Sequence, residues 1–527
     1  MSAIGAGWRG SGAAGPPVAA SAIGRALERR DFTLAVVAAL FVGQAAIRFA
    51  SHLAPDVAWY LYAGGRLLDG GVLYRDVVEA NPPLGVWLSV LVAAAARAAG
   101  VGSALVLKLA LLGLTALSFA LSARFIAAAS DVAAGAKHLL LILVAALLLF
   151  LPGADFGQRD HVMILLVLPW VLVKWNRLIE REVPFGIAAI VGLLAATGFW
   201  LKPHFLFAFI AIELSVAMAA RSARDVVRIE TLAVVAFGVV YLTAVSTLFS
   251  RDLVEMSSLS TKAFIPLYGQ SAEDVTLRLI LPAILAVLAV AATELLGPQL
   301  QLLRALLLAA SAAFLFIFVA QAGFQHQAMP ATFFPALATG LGVAQALAGN
   351  TELRGLARRF VAAASTIAVA AVFAAAAAKQ FVPYRGEPFE RAIAAEAPKA
   401  RTIFIASTSS SHPFPLVEEQ GFVWASRFPS QWLAPFAAMT RDETGAPNDS
   451  VGRFALDATV DDFIAFAPDI VFIDESPERP HFKGKPLDYV LFWSTDGRFA
   501  RAWKGYERRG DTAGFGVYVK SDPAAEE

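Results

Sequence analysis

Between residues 51 and 82 the chain places Asp56, Asp69, Asp76 and Glu79, with Arg66 and Arg75, in a stretch flanked on both sides by apolar runs. A carboxylate within hydrogen-bond reach of a hydroxyl can take its proton. Cations can meet charge that develops on a phosphate leaving group. Further residues of these types stand at the ends of later apolar runs: Arg159, Asp160 and His161 in "GQRDHVMILLVLPW", Lys202 and His204 in "FWLKPHF", and His326 in "QAGFQHQAMP". Asp56, Glu79 and Asp160 are the candidate catalytic carboxylates, and Arg75, Arg159, His161, Lys202, His204 and His326 the candidate substrate contacts. The three carboxylates could instead gather a divalent cation through oxygen ligands, and the sequence alone fixes no cofactor.

Each residue also has a plainer use. Asp favours helix caps, which would account for Asp56 and Asp160. Lys202 could snorkel from a helix end to lipid headgroups. His326 lies between Gln325 and Gln327, as in many polar loops, and Arg75 can pair with Asp76. Arg48, inside the first apolar run, is either a bundle-facing phosphate contact or a snorkelling end residue.

The elements that must hold these residues are membrane helices. Of 527 residues, 58% are hydrophobic and 16% charged. Apolar runs long enough to cross about 30 Å of hydrocarbon recur through the first 380 residues. They cover roughly 32–50, 83–100, 103–123, 138–152, 161–178, 185–201, 204–220, 231–249, 277–296, 302–321, 330–348 and 360–379. The expected fold is an all-α polytopic membrane bundle of about 11–13 transmembrane helices spanning 31–380, with a first outer loop at 51–82. Residues 1–30 read as a disordered cytoplasmic tail. After the linker "VPYRGEP", residues 385–527 carry an ordinary mix of charge, Pro and Gly. There "RTIFIAST", "DIVFIDES" and "GFGVYVK" predict strands, and "FERAIAAEAP" and "VDDFIAFAP" predict helices, giving a C-terminal soluble α/β domain. The net charge of +1 speaks against a nucleic-acid partner. With no cysteine, disulfides, thiolate metal sites and thiol catalysis are excluded.

Basic residues cluster in "GRALERR", "KWNRLIERE", "RSARDVVR" and "RGLARRF", which the positive-inside rule places in the cytoplasm. The opening loop, the candidate residues at the alternate turns and the α/β domain then all face outward. Three apolar runs between Pro83 and Asp160 would put Asp160 on the wrong side, so the run at 83–100 is expected to be re-entrant or interfacial.

Within the opening loop, Val57, Tyr60, Leu61, Gly64, Leu67 and Leu68 share one helical face, and Trp59, Tyr60 and Tyr62 suit a membrane boundary. This predicts an amphipathic helix lying on the outer leaflet and starting at Pro55-Asp56. "EANPPLGVW" would re-enter the membrane with Asn81-Pro82 as its cap and first turn. An acid just after the first span, and an acidic segment followed by Asn81-Pro82-Pro83-Leu84, resembles the C-type glycosyltransferase superfamily. The resemblance is to its lipid A aminoarabinose transferase and protein O-mannosyltransferase (dolichyl-phosphate-mannose mannosyltransferase-like) group. Asp56 matches the first acid, Glu79 the second and Asp160 a later one that opens a span. The Lys that many members carry before the prolines is absent here.

That resemblance implies an enzyme of the bacterial inner membrane with its C-terminal domain in the periplasm. It would transfer a sugar from a polyprenyl-phosphate donor to a lipid- or glycan-linked acceptor, with Asp56 as the base. A transporter or flippase of lipid-linked sugars, or a non-catalytic assembly factor for envelope glycans, is the alternative. Carriers place their polar residues in mid-bilayer, whereas these lie at span ends. In the α/β domain, "IASTSSSHPFP" and "ASRFPSQW" are polar or aromatic–Arg segments that could contact a glycan or serve only structure.

Overall fold

The computed structural model describes residues 29–220, 226–320, 323–348, 355–477 and 479–521. The tail expected at 1–30 lies outside these but for its last two residues. The molecule is a polytopic helical membrane bundle with a C-terminal α/β domain. Each of the twelve apolar runs has a helix. In chain order the helices are α1 (Arg30–Ala50), α2 (Pro55–Leu68), α3 (Leu84–Ala99), α4 (Ser103–Ala127), α5 (Ala134–Phe150), α6 (Arg159–Leu178) and α7 (Phe185–Trp200). They continue with α8 (Leu206–Ala219), α9 (Ile229–Leu259), α10 (Ala272–Ala291), α11 (Pro298–Ala320), α12 (Ala328–Ala348) and α13 (Leu356–Ala377). Among the described residues, seven helical segments are long and apolar enough to cross a membrane, while α3, α5, α7 and the helix at Pro203–Ala219 are apolar but shorter.

Helix α6 is the axis of the bundle. It is apolar nearly all round and buried nearly all round, as a central helix must be. Its first two residues are Arg159 and Asp160. Just before it, Gly157 takes a φ of +91°, and a Cβ there would stand 2.6 Å from a methyl of Leu111, so both turn and packing require glycine.

Helix α3 runs beside α2. Gly64 makes this contact possible, because a Cβ there would lie 2.6 Å from the backbone of Ser89. The last turn of α3 returns to α2, where Arg97 pairs with Asp69 at 2.9 Å and donates to the Gly65 carbonyl. The chain enters α4 at once: Ser103 donates to Glu418 of the α/β domain and Lys108 to the Ser51 carbonyl. Both ends of α3 therefore sit at the α/β-domain end of the bundle. Helices α4 and α5 then carry the chain away and back to Arg159.

Three expectations for the outer segments are corrected. Helix α2 does not lie with one face free. Val57 through Leu61, Ala63 and Gly64 are all buried, because the bundle covers one side and the α/β domain the other. Its aromatics pack between domains: Trp59 lies 5.4 Å from Phe414, and the Tyr62 hydroxyl meets the backbone of Trp424. Asn81 caps nothing, and α3 starts behind Pro83. The gap between the apolar runs at 231–249 and 277–296, an outer turn by the charge-based topology, is mostly helical as far as Tyr268. Helix α9 breaks at Phe249 and continues to Leu259, and a π-turn and a short helix, Ile265–Tyr268, follow.

The α/β domain has five strands in the order β2-β1-β3-β5-β4, namely β1 Thr402–Ala406, β2 Val423–Trp424, β3 Ile470–Asp474, β4 Tyr506–Thr512 and β5 Phe515–Lys520. Strands β2, β1 and β3 are parallel, β5 is antiparallel to β3, and β4 to β5. The expected helices are α14 (Glu387–Glu396) and α16 (Ser450–Phe466), and between them a short α15 spans Leu416–Gln420. The domain is not separable from the first loop. Trp59, Tyr60, Val77 and Val78 belong to the same continuous apolar core as Phe404, Trp424 and Phe472, and the Val78 amide donates to the Arg427 carbonyl at 2.7 Å.

Candidate active site

Asp56 stands in the first turn of α2, yet among the described residues no backbone amide bonds to its carboxylate, and the N-cap, Ala54, has no side-chain cap. The helix-cap reading therefore fails. Gln158 Nε2 donates to Asp56 Oδ2 at 3.3 Å. The next residue, Arg159, lays its guanidinium 4.7 Å from the centre of the Tyr60 ring. Its Nε and Nη1 are buried and have no hydrogen-bond partner among the described residues, nor has the Tyr60 hydroxyl. A buried donor left unpaired costs free energy on the order of 1–3 kcal/mol, which makes this guanidinium a candidate to meet an anion.

Asp160 is buried and does not cap α6 either. Its Oδ2 accepts from Lys202 Nζ at 2.6 Å, and His326 Nε2 lies 3.9 Å away. Lys202 is itself 3% exposed, so it does not snorkel. Burial, with Lys202 beside it, pushes His326 down to about 4, leaving it neutral at neutral pH and suited to a hydroxyl more than to a phosphate charge. His204 Nε2, also buried, has no partner among the described residues. Segments far apart in sequence, at 56, 158–160, 202–204 and 326, thus meet at the α/β-domain end of the bundle.

Between α2, α3, α4 and α6 lies a cavity of about 300 Å³. Asp56, Tyr60 and Arg159 line it, and most of the remaining wall is apolar, with Leu88, Leu107 and Leu114. Leu91, also on the wall, is 66% exposed, so the cavity borders the bundle surface.

Other expected site residues go elsewhere. Arg75 is exposed and forks onto Asp76 at 2.9 Å, as two adjacent exposed residues of opposite charge can. His161 is buried with both ring nitrogens engaged, one by the Gly157 amide at 3.1 Å and one by the Leu148 carbonyl at 3.0 Å. Glu79 stays near Tyr60 and Arg159 but is buried with both oxygens accepting: Trp59 Nε1 donates to one at 2.8 Å, and the Asn81 amide to the other at 3.0 Å. It knits the loop to α2. Arg48 neither snorkels nor waits for phosphate. It donates to the carbonyls of Gly153 and Gln380, tying α1 to the ends of α5 and α13.

Among the described residues no three His, Asp or Glu side chains form a ligand cluster for a divalent cation, and the Lys202 ammonium already holds Asp160 Oδ2, leaving only its Oδ1 unpartnered.

Three site residues were not singled out from sequence: Tyr60, Gln158 and Asp155. Burial, together with Asp56 and Asp160, lifts Asp155 to about 7. The recognisable signal was two acids within "GADFGQRDH". In the α/β domain, "IASTSSSHPFP" folds on itself, with Ser407 on His412 at 2.6 Å, and Arg427 of "ASRFPSQW" forks onto buried Asp462. A second cavity, of about 460 Å³, lies between the ends of α2 and α3 and the α/β domain. Its main charged groups are already engaged: Arg97 with Asp69, Glu418 with Ser103, and Arg66 over the Phe466 ring.

Glu418 provides a pH test of the domain contact. Burial lifts its carboxyl from the ordinary 4.5 to about 7, against the Ser103 hydrogen bond. The folded state therefore favours the protonated form. The contribution to stability is full below about pH 4.5 and is lost as pH rises through about 7. In melting curves from pH 4.5 to 8, the wild type should lose stability relative to Glu418→Gln as pH rises. A constant difference between the two would contradict the buried placement.

The fold and site define a membrane helical bundle with a buried polar centre under an α/β domain. No family model matches the chain, and no curated protein matches it. Among solved structures it is similar to the arabinofuranosyltransferase AftD from mycobacteria, at 13% identity and a TM-score of 0.46, over 92% of this chain and 40% of that one. A mutant of AftD aligns at 14% identity and a TM-score of 0.45, over 94% and 42%. The chain spans about two-fifths of the length of these structures.

Proposed function

We propose that the chain is a membrane glycosyltransferase that moves a sugar from a polyprenyl-phosphate donor to a lipid- or glycan-linked acceptor on the extracytoplasmic face of the bacterial inner membrane. One observation carries this reading. A carboxylate, Asp56, and a buried guanidinium with two unpartnered nitrogens, Arg159, stand together in a largely apolar cavity at the bundle's edge. A lipid-linked phosphate supplies what each part lacks: apolar chain for the wall and anionic oxygen for Arg159. The acceptor hydroxyl attacks the anomeric carbon, and its proton passes to Asp56. The bond from that carbon to the phosphate oxygen breaks. The electron pair leaves on the lipid phosphate, whose added charge Arg159 and Lys202 meet. His326, neutral, can hydrogen-bond a sugar hydroxyl. No step needs a metal.

The test uses purified full-length protein in bacterial-lipid vesicles with a radiolabelled polyprenyl-phosphate sugar and an envelope-glycan extract. The expected result is label in glycan with matching release of polyprenyl phosphate. Relocation of intact donor across the vesicle without release would replace the enzyme reading with a carrier.

A further inference from the structure

The start of α2, one residue before Asp56, has no side-chain cap of its own, because Ala54 carries no polar side chain. The carboxylate that fixes it comes from the α/β domain, 366 residues away. Glu419 Oε1 accepts from the Leu53 amide at 2.8 Å, and Glu419 Oε2 meets His52 Nδ1 at 2.5 Å. The His52 ring stacks on Tyr384, at 3.9 Å between centres and 14° between planes. The neighbour on α15, Glu418, takes the Ser103 hydroxyl at the start of α4. Lys108 of α4 closes the ring by donating to the Ser51 carbonyl at 2.8 Å. Two adjacent glutamates of one short helix thus hold the starts of α2 and α4, two walls of the Asp56 cavity.

We propose that Glu419 is a positioning residue for Asp56: the α/β domain, through α15, sets where the base stands. This rests on the reading of Asp56 as the base. The physical reason is tolerance. A displacement of about 1 Å can cost on the order of 10²-fold in rate, and the Leu53 amide is three residues from Asp56. Glu419 itself neither lines the donor cavity nor touches Arg159, and its bond is to the backbone three residues before Asp56, so its loss should act on turnover far more than on donor binding.

The experiment compares Glu419→Ala and Glu419→Gln in the full-length protein, each in wild-type and Asp56→Asn backgrounds, as kcat and donor KM per folded protein. Expected for Glu419→Ala is kcat lower by about tenfold or more with donor KM within about twofold. Glu419→Gln should recover most of it, since its amide oxygen still accepts from Leu53 and its NH₂ can donate to a His52 Nδ1 that carries no proton. In the Asp56→Asn background, Glu419→Ala should add nothing, because it acts through a group no longer there. An equal further loss in that background, or a shift confined to donor KM, overturns the positioning role. Wild-type turnover in Asp56→Asn alone overturns the base instead, so the two failures are distinct. If Glu419→Ala does not fold, His52→Ala, at a half-exposed ring, breaks one arm of the clamp. It should lower kcat a few-fold in the wild-type background and have no effect with Asp56→Asn; no loss in the wild-type background counts against the clamp.

Discussion

Asp56→Asn should reduce sugar transfer by about 10²-fold or more at a normal level of folded protein in the membrane, the lower end of what a general base contributes. Structure narrows the alternatives. Asp56 caps no amide, so Asn has no cap to preserve and none to lose. The amide oxygen of Asn is nearly isosteric and can still accept from Gln158. If Asp56 served only that hydrogen bond, its contribution would be about 1 kcal/mol, a factor below ten. The measurement is single-turnover transfer with saturating donor, normalised to monodisperse protein. A loss of less than tenfold would leave Asp56 a hydrogen-bond partner of the α6 turn and move the search for the base to Asp155, the next carboxylate of the site.

The sequence made Asp56, Asp160, Lys202 and His326 visible because membrane topology reduces three dimensions to two faces. Polar residues at alternate span ends must share one face, and within it they meet. The same logic could not separate residues aimed into the bundle from those aimed away. Arg75 and Arg159 have equal claims on paper, yet one ends in solvent beside Asp76 and the other over Tyr60. His161 was indistinguishable from His204 until backbone groups were seen to occupy both its nitrogens. The core strands β1 and β3 read plainly because a parallel strand buried on both faces is a continuous apolar run. Strand β2 has only two residues, and β4, "YERRGDT", is an exposed charged edge that shows no apolar alternation. The largest misreading was of α2. An amphipathic pattern shows that one face is buried but not what covers the other, and here a domain more than 300 residues away does so. A truncation at Gln380 would therefore expose the Trp59 side of the first loop as well as remove a domain.

Asp160→Asn and Lys202→Met should each lower the yield of folded protein severely. Lys202 and Asp160 are nearly fully buried at 2.6 Å, and removing one partner strands the other charge at a cost of about 3–5 kcal/mol. The double variant should recover much of the yield, because it strands neither. Non-additivity in yield thus follows from the ion pair whatever its purpose and does not mark a substrate site. The deciding quantity is donor affinity of the folded double variant. If Lys202 only clamps α6 to the turn after α7, the double variant should bind a polyprenyl-phosphate sugar as the wild type does. Under the proposed function it should bind about 10- to 100-fold more weakly, the scale of one charge-assisted hydrogen bond of about 1.5–3 kcal/mol. Arg159→Met gives the internal control. Among the described residues Arg159 has unpartnered nitrogens and no salt bridge, so Arg159→Met should lose comparable affinity with little loss of yield. Wild-type affinity in the double variant together with a loss in Arg159→Met would leave the phosphate to Arg159 alone. Wild-type affinity in both would remove the anion site, and with it the strongest structural support for a lipid-phosphate donor.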